Sequence, residues 1–143
     1  MAVERTLSMI KPNAVKRGVS GLIIHRLETE GFKIVAQKKI MLTRKLAELF
    51  YREHAQKPFF KSLVDFMTSG PIVVQVLEKE NAVVDYRTLM GATDPKQAAE
   101  GTLRKEFATS ITENAVHGSD NIESARRETH FFFSDLELIE DDE

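Results

Sequence analysis

The segment Ile72-Val-Val-Gln-Val-Leu77, set off by Gly70-Pro71, constrains the fold more than any other stretch of the chain. It reads as a buried-type strand, and such a strand needs paired neighbours and cover over its faces. Two further strands are legible. Residues 3–10 alternate, with Val3, Leu7 and Met9 on one side, and 32–42 is rich in Phe, Ile and Val. Helices fill the gaps. Pro12 ends the first strand and suits the first turn of a short helix. Ser20 is a plausible N-cap for 21–30, where Ile23 and Leu27 share a face before Gly31. Thr43 caps a helix holding Leu46, Leu49 and Phe50. Pro58 opens another with Phe60, Leu63, Val64 and Met67, and 81–90 ends at Gly91.

Segment 92–114 breaks the pattern. Its Thr, Asp, Pro, Gly, Arg and Asn residues predict a long structured loop with one short helix after Thr102. A loop of that length inside a compact domain is usually functional. Ala115-Val116-His117 then reads as a short last strand, and Asp120 with Glu123 as a capping box before a helix over 121–131. The order predicts an α+β, ferredoxin-like βαββαβ sandwich, a four-stranded antiparallel sheet with helices packed on it. The 143 residues suit one domain, 1–143, able to bury about 70% of its unfolded surface.

Composition then removes whole classes of chemistry. The chain has no cysteine, which excludes disulfides, thiolate zinc sites and a cysteine nucleophile. Its net charge of −2 argues against a simple nucleic-acid binder. Six of the acids crowd into 135–143 with no base among them, leaving a body of +4, and this tail reads as a solvated end. Glu4 and Lys11-Pro12 interrupt any signal-peptide core, and no apolar run approaches the ~18 residues of a membrane helix. A cytoplasmic location is expected.

The usual phosphate loops and the metalloprotease and hydrolase signatures are missing, and Gly18-x-x-Gly21 alone is weak. Of the four histidines, His25 and His130 fall inside predicted helices, where packing or surface roles suffice, and His54 sits at a helix end. His117 differs. Gly118 removes a side chain beside the ring and lets a ligand approach, while Ser119 and Asp120 start a helix whose N-terminus attracts anions. Lys11, Arg87 and Arg104 come from separate elements, with Thr93 at the loop start, and their convergence on His117 would make a phosphate site. In the Phe59-Phe60 pair, one ring can be core while the other faces out and stacks a base.

These residues carry a resemblance to a known family. Asn114-x-x-His117-Gly118-Ser119-Asp120 is a highly specific motif of bacterial nucleoside diphosphate kinases. Ile10-Lys11-Pro12-Asn13-Ala14, Gly31-Phe32, Phe59-Phe60, Met67-Thr-Ser-Gly-Pro71, Gly91-Ala-Thr-Asp-Pro95 and Gly101-Thr-Leu-Arg104 support it, and the likeness runs from Arg5 to about Phe133. The resemblance implies transfer of the γ-phosphate of ATP or another nucleoside triphosphate to nucleoside diphosphates, by ping-pong through a phosphohistidine. His117 would be the nucleophile, attacking through Nδ1, with Glu128 on the other ring nitrogen and Ser119 supporting Glu128. Tyr51 would sit beside the transferring phosphoryl group. Phe59 would stack on the base, with Leu63 and Ile111 completing the slot. Lys11 and Asn114 would bind the ribose 3′-hydroxyl, and Arg87, Thr93 and Arg104 the phosphates.

Elementary chemistry is compatible with those roles. A neutral imidazole needs little activation, and phosphoryl transfer asks mainly for alignment and charge neutralisation. Mg²⁺ would ride on the nucleotide phosphates, with few or no direct protein ligands. An apolar slot discriminates poorly between bases. The family assembles as homo-oligomers, and a dimer or tetramer is expected over a hexamer because the longer C-terminal extension of hexamers is missing; neither a membrane nor a specific nucleic acid is expected as partner. Two rival classes fit the residues less well. A phosphohistidine relay protein would leave Phe59 and Lys11 without purpose, and a non-catalytic nucleotide- or RNA-binding module lacks the aromatic strand pattern expected of it.

Overall fold

Residues 3–139 are described by the computed structural model. In chain order the elements are β1 (Val3–Ile10), α1 (Pro12–Lys16), α2 (Ser20–Thr29), β2 (Lys33–Ile40), α3 (Arg44–Phe50), α4 (Phe60–Met67), β3 (Ile72–Glu80), α5 (Ala82–Met90), α6 (Leu103–Phe107), β4 (Val116–Gly118) and α7 (Ile122–Phe132). The sheet order is β2-β3-β1-β4, every pairing antiparallel. The apolar segment at 72–77 is therefore central, as its composition requires, and it extends to Glu80. The ferredoxin-like reading of the sequence holds.

Side-chain alternation along the two central strands builds two cores. Leu7 and Met9 of β1 join Val74 and Val76 of β3 on one face, under Phe50, Val64, Met67 and Phe132 from α3, α4 and α7. On the other face, Ile10, Val73 and Leu77 pack under Ile23 and Leu27 of α2, Tyr86 and Met90 of α5, and Leu103 of α6. Helices thus cover both faces. Val3, expected to share a face with Leu7 and Met9, lies beyond the core at 67% exposure, opposite Glu80 at the strand end. The second face also buries a polar relay. Ser8 meets the Tyr86 hydroxyl at 2.8 Å and donates to Gln75, whose amide donates to Gln37. Burial pushes the Tyr86 phenol up to about 12.

Three capping expectations fare differently. Thr43 caps α3 as read, its Oγ1 accepting from Leu46 N–H. Ser20 does not cap α2, because Gly18 (φ +75) turns the chain so tightly that Val19 already takes the cap position with its carbonyl accepting from Ile23. Asp120 and Glu123 form no capping box. Asn121 caps α7 by accepting from Ser124 N–H, and the Asp120 carboxylate is taken by Arg87.

The acidic tail is not simply solvated over its first residues. Asp135–Glu137 form a single 3-10 turn closed by a Ser134–Glu137 capping box, Glu137 pairs with Lys38 at 3.0 Å, and Leu138 packs against the first core. Arg5 donates to the Ile139 carbonyl. The rest of the tail reading falls on 140–143, outside the described residues. Among the described residues no helix is long and apolar enough to cross a membrane.

Gly118 owes its identity to packing. A Cβ there would meet Met90 Cε and Tyr86 Cδ2, each at 2.7 Å. The glycine lets α5 close on β4, so its missing side chain serves the helix rather than an incoming ligand. Gly118→Ala should destabilise the fold by about 1–3 kcal/mol through overpacking, read from the urea midpoint; an unchanged midpoint would contradict this packing account.

Candidate active site

His117 occupies the middle of β4, an edge strand three residues long, directly opposite Met9 of β1. The chain enters β4 through a tight three-residue turn: Ala115 adopts φ +72 and Val116 N–H donates back to the Asn114 carbonyl at 2.8 Å. Left-handed backbone is uncommon for a residue with a Cβ, and such conformations cluster at functional sites. Here the turn brings Asn114 and His117 to the same cleft.

Behind the imidazole lies a short relay. Nε2 is 2.9 Å from Glu128 Oε1, and Ser119 Oγ donates to the same oxygen at 2.8 Å. Ser119 is fully buried and in turn accepts from Leu7 N–H, which ties the relay to the central strand. Burial works against ionising Glu128, but hydrogen bonds from His117 and Ser119, with the nearby charge of Arg127, outweigh it and hold the carboxyl below its ordinary value. An ionised carboxylate only accepts, so Nε2 carries the ring proton and Nδ1 keeps its lone pair. Among the described residues Nδ1 has no hydrogen-bond partner. Phe50 meets the ring edge-on at a centroid distance of 5.7 Å and limits its tilt.

The cleft in front of His117 has a volume of about 560 Å³, within the range of small-molecule sites. It gathers Lys11, Arg87 and Arg104 from three separate elements, together with Tyr51, Thr93, Asn114 and Glu128. Its outer part is apolar. Phe59, 48% exposed, and Ile111, 59% exposed, stand with Leu63, while Phe60 turns into the core. The pair thus divides as the sequence suggested. Every candidate read from the sequence lines this cleft except Ser119, which acts from behind Glu128.

The cations are held in different ways. Lys11 is only 6% exposed and donates to Asn114 Oδ1 at 2.8 Å. Burial, aided by the charge of Arg104, pushes its ammonium down to about 7. Arg104 donates to the Gly91 and Val116 carbonyls, and its Nε is buried without a partner among the described residues. Arg87 is exposed and paired with Asp120 at 2.7 Å. The Tyr51 hydroxyl is likewise buried and unpartnered, and its pKa is raised by burial and by Glu128.

Some lining residues had no signal in the sequence. Phe50 reads as an ordinary apolar helix position. His54, in a 3-10 turn rather than at the end of α3, has its ring centroid 5.6 Å from that of Phe59, and beside it Glu53 pairs with Arg127. Only the folded turn shows that these face the cleft. His25 and His130 lie exposed on helices, as read. No group of three or more His, Cys, Asp or Glu side chains that could hold a metal occurs among the described residues.

The family model for nucleoside diphosphate kinase matches residues 4–138. The chain belongs to that family. It is 58% identical over 139 residues to a nucleoside diphosphate kinase of Wolbachia pipientis subsp. Culex pipiens (strain wPip), covering 97% of this chain and all of the relative. Among solved structures it is similar to the Aquifex aeolicus nucleoside diphosphate kinase, with a TM-score of 0.95 and 45% identity over 96% of this chain and 100% of that one. The halophilic nucleoside diphosphate kinase from Halobacterium salinarum, solved in complex with CDP, gives a TM-score of 0.94 and 44% identity over 99% and 95% of the two chains. The protein is accordingly an enzyme that transfers phosphate between nucleotides.

Lys11 carries a stability cost that depends on pH. Its folded pKa of about 7 lies below the ordinary 10.5, so the unfolded chain binds the proton more tightly across that window. Stability therefore rises with pH between those values, by up to about 1.4 kcal/mol per pH unit from this group. Lys11→Met lacks the titration. Its stability relative to the native chain should fall by about 1 kcal/mol per unit between pH 7.5 and 9.5 in urea denaturation; a difference independent of pH would contradict the burial of a strained ammonium.

Proposed function

We propose that the cleft binds a nucleoside triphosphate with its base between Phe59, Leu63 and Ile111, and that His117 Nδ1 takes the γ-phosphate and passes it to a nucleoside diphosphate. The observation that carries this reading is the Glu128 carboxylate on Nε2, which leaves the opposite ring nitrogen as a free nucleophile in a cleft lined by three basic side chains. The Nδ1 lone pair attacks the γ-phosphorus as the bond to the bridging oxygen breaks, and the departing diphosphate takes that electron pair. The phosphorylated ring keeps its Nε2 proton and becomes cationic, and Glu128 stabilises that charge. A β-phosphate oxygen of the acceptor then attacks the same phosphorus, the P–N bond breaks, and the lone pair returns to Nδ1.

The other residues follow by position. Lys11 and Asn114, already hydrogen-bonded to each other, offer a donor and an amide to the ribose 3′-hydroxyl. Arg87 and Arg104 offset phosphate charge, Thr93 offers the phosphates a hydroxyl, and the buried Tyr51 hydroxyl is a donor available to the moving phosphoryl group. Base stacking of about 1–3 kcal/mol holds any base alike.

Mg²⁺ fits as a companion of the nucleotide. Each lining carboxylate is engaged: Glu53 with Arg127, Asp120 with Arg87, and Glu128 with His117. With that donor set the nucleotide phosphates would hold the metal, and it would supply charge neutralisation there. A cytoplasmic location matches substrates drawn from the nucleotide pool. Assembly as a dimer or tetramer is in keeping with the open edge of β2, which pairs only with β3 among the described residues.

Incubation with Mg²⁺ and γ-labelled ATP should place acid-labile label on the chain, and GDP or a deoxynucleoside diphosphate should remove it. Absence of label, or label that diphosphates leave in place, would contradict the reading. His117→Ala should abolish labelling and transfer while nucleotide affinity, followed by calorimetry, stays within a few-fold; retained transfer would place the nucleophile elsewhere.

A further inference from the structure

The loop between α6 and β4 puts Ile111 and Asn114 on the cleft lining, yet its stretch 109–114 supplies no residue to either core. Part of it closes on itself. The Glu113 carbonyl accepts from Thr109 N–H at 3.0 Å, and Glu113 N–H donates to Ser110 Oγ. Such a knot is compact, but it does not fix its own place relative to His117.

Its place is fixed from α1. Arg17 Nη1 donates to the Phe107 carbonyl at 2.7 Å, where the loop begins, and Asn13 Nδ2 donates to the Glu113 carbonyl at 3.0 Å, where it ends. Lys11 N–H donates to the Ala115 carbonyl at 2.8 Å, holding the left-handed residue that leads into β4. One short helix and the residues that flank it, Lys11 and Arg17, thus grip both ends of the loop. Neither Arg17 nor Asn13 lines the cleft.

We propose that Arg17 and Asn13 are positioning residues for phosphoryl transfer: by pinning the Phe107 and Glu113 carbonyls they hold Ile111 and Asn114 at the nucleotide. This rests on the proposed function, since it assigns the base to the wall that Ile111 forms. A loop released at its ends would let that wall swing away, weakening substrate binding while the His117–Glu128 relay, anchored on β1, β4 and α7, stays intact. Held geometry of this kind stabilises ground and transition states alike, so KM carries the loss.

Steady-state kinetics on the full chain test this. Arg17→Ala should raise the KM for the acceptor diphosphate by about 5- to 20-fold with kcat within about two-fold of the native value. Arg17→Lys, which keeps a donor of similar reach, should recover most of that loss. Ile111→Ala should raise KM in the native background but add little to Arg17→Ala, because a displaced wall has already lost its contact. An unchanged KM in Arg17→Ala, or full additivity with Ile111→Ala, overturns the proposal. If Arg17→Ala does not fold, hydrogen exchange decides on Asn13→Ala: the amides of 108–113 should exchange faster while β1 and β3 keep their protection, and native exchange in the loop overturns it. Native enzyme that takes no label from ATP would instead overturn the proposed function, a failure visible before any variant is made.

Discussion

One hydrogen bond orders the rest of this molecule: the 2.9 Å contact between His117 Nε2 and Glu128 Oε1. A histidine on an edge strand would otherwise sample both tautomers, one with its proton on Nδ1 and one with it on Nε2. The carboxylate decides the matter because it can only accept. Keeping it ionised in a buried place requires Ser119, Arg127 and the imidazole itself. Those partners reach it from three elements: Ser119 follows β4 and is held by Leu7 N–H of β1, His117 lies on β4, and Arg127 lies beside Glu128 on α7.

The front of the cleft runs against the preferences of a folded core. It keeps a buried ammonium at Lys11, an unpartnered guanidinium nitrogen at Arg104 and an unpartnered hydroxyl at Tyr51. Unpartnered buried groups of this kind are costly, and all three residues line the cleft. The apolar end behaves alike, since Phe59 and Ile111 remain exposed where a core would bury them. Two well-filled cores on opposite faces of the sheet sustain these departures, and pre-organised groups need little rearrangement when substrate arrives.

Much of this was legible in the sequence, for physical reasons that differ by region. The strands followed from alternation and from the apolar run at 72–77, and α3 announced itself through Thr43. Propensity places a cap at Ser20 because it cannot see that Gly18 turns the chain directly from α1 into α2. The capping box at Asp120 failed because a distant cation, Arg87, claims that carboxylate; local patterns ignore such long-range competition. The motif around His117 pointed to the histidine that the fold sets in the cleft, and its following helix supplies Glu128 beside it. Beside His117 in the sequence Gly118 suggests room for a ligand, whereas in the fold it makes room for Tyr86 and Met90. Phe50, His54 and the grip of Arg17 on the loop left no local signature, since each depends on which distant element the fold brings near.

The central claim, that Glu128 fixes the tautomer and leaves Nδ1 as the free base, is tested most directly by nitrogen NMR on histidine-labelled protein. Long-range proton–nitrogen correlations in the nucleotide-free enzyme at neutral pH should show His117 with a protonated, pyrrole-type Nε2 and an unprotonated, pyridine-type Nδ1. In Glu128→Gln that preference should weaken. A pyrrole-type Nδ1 in the native chain would contradict the account.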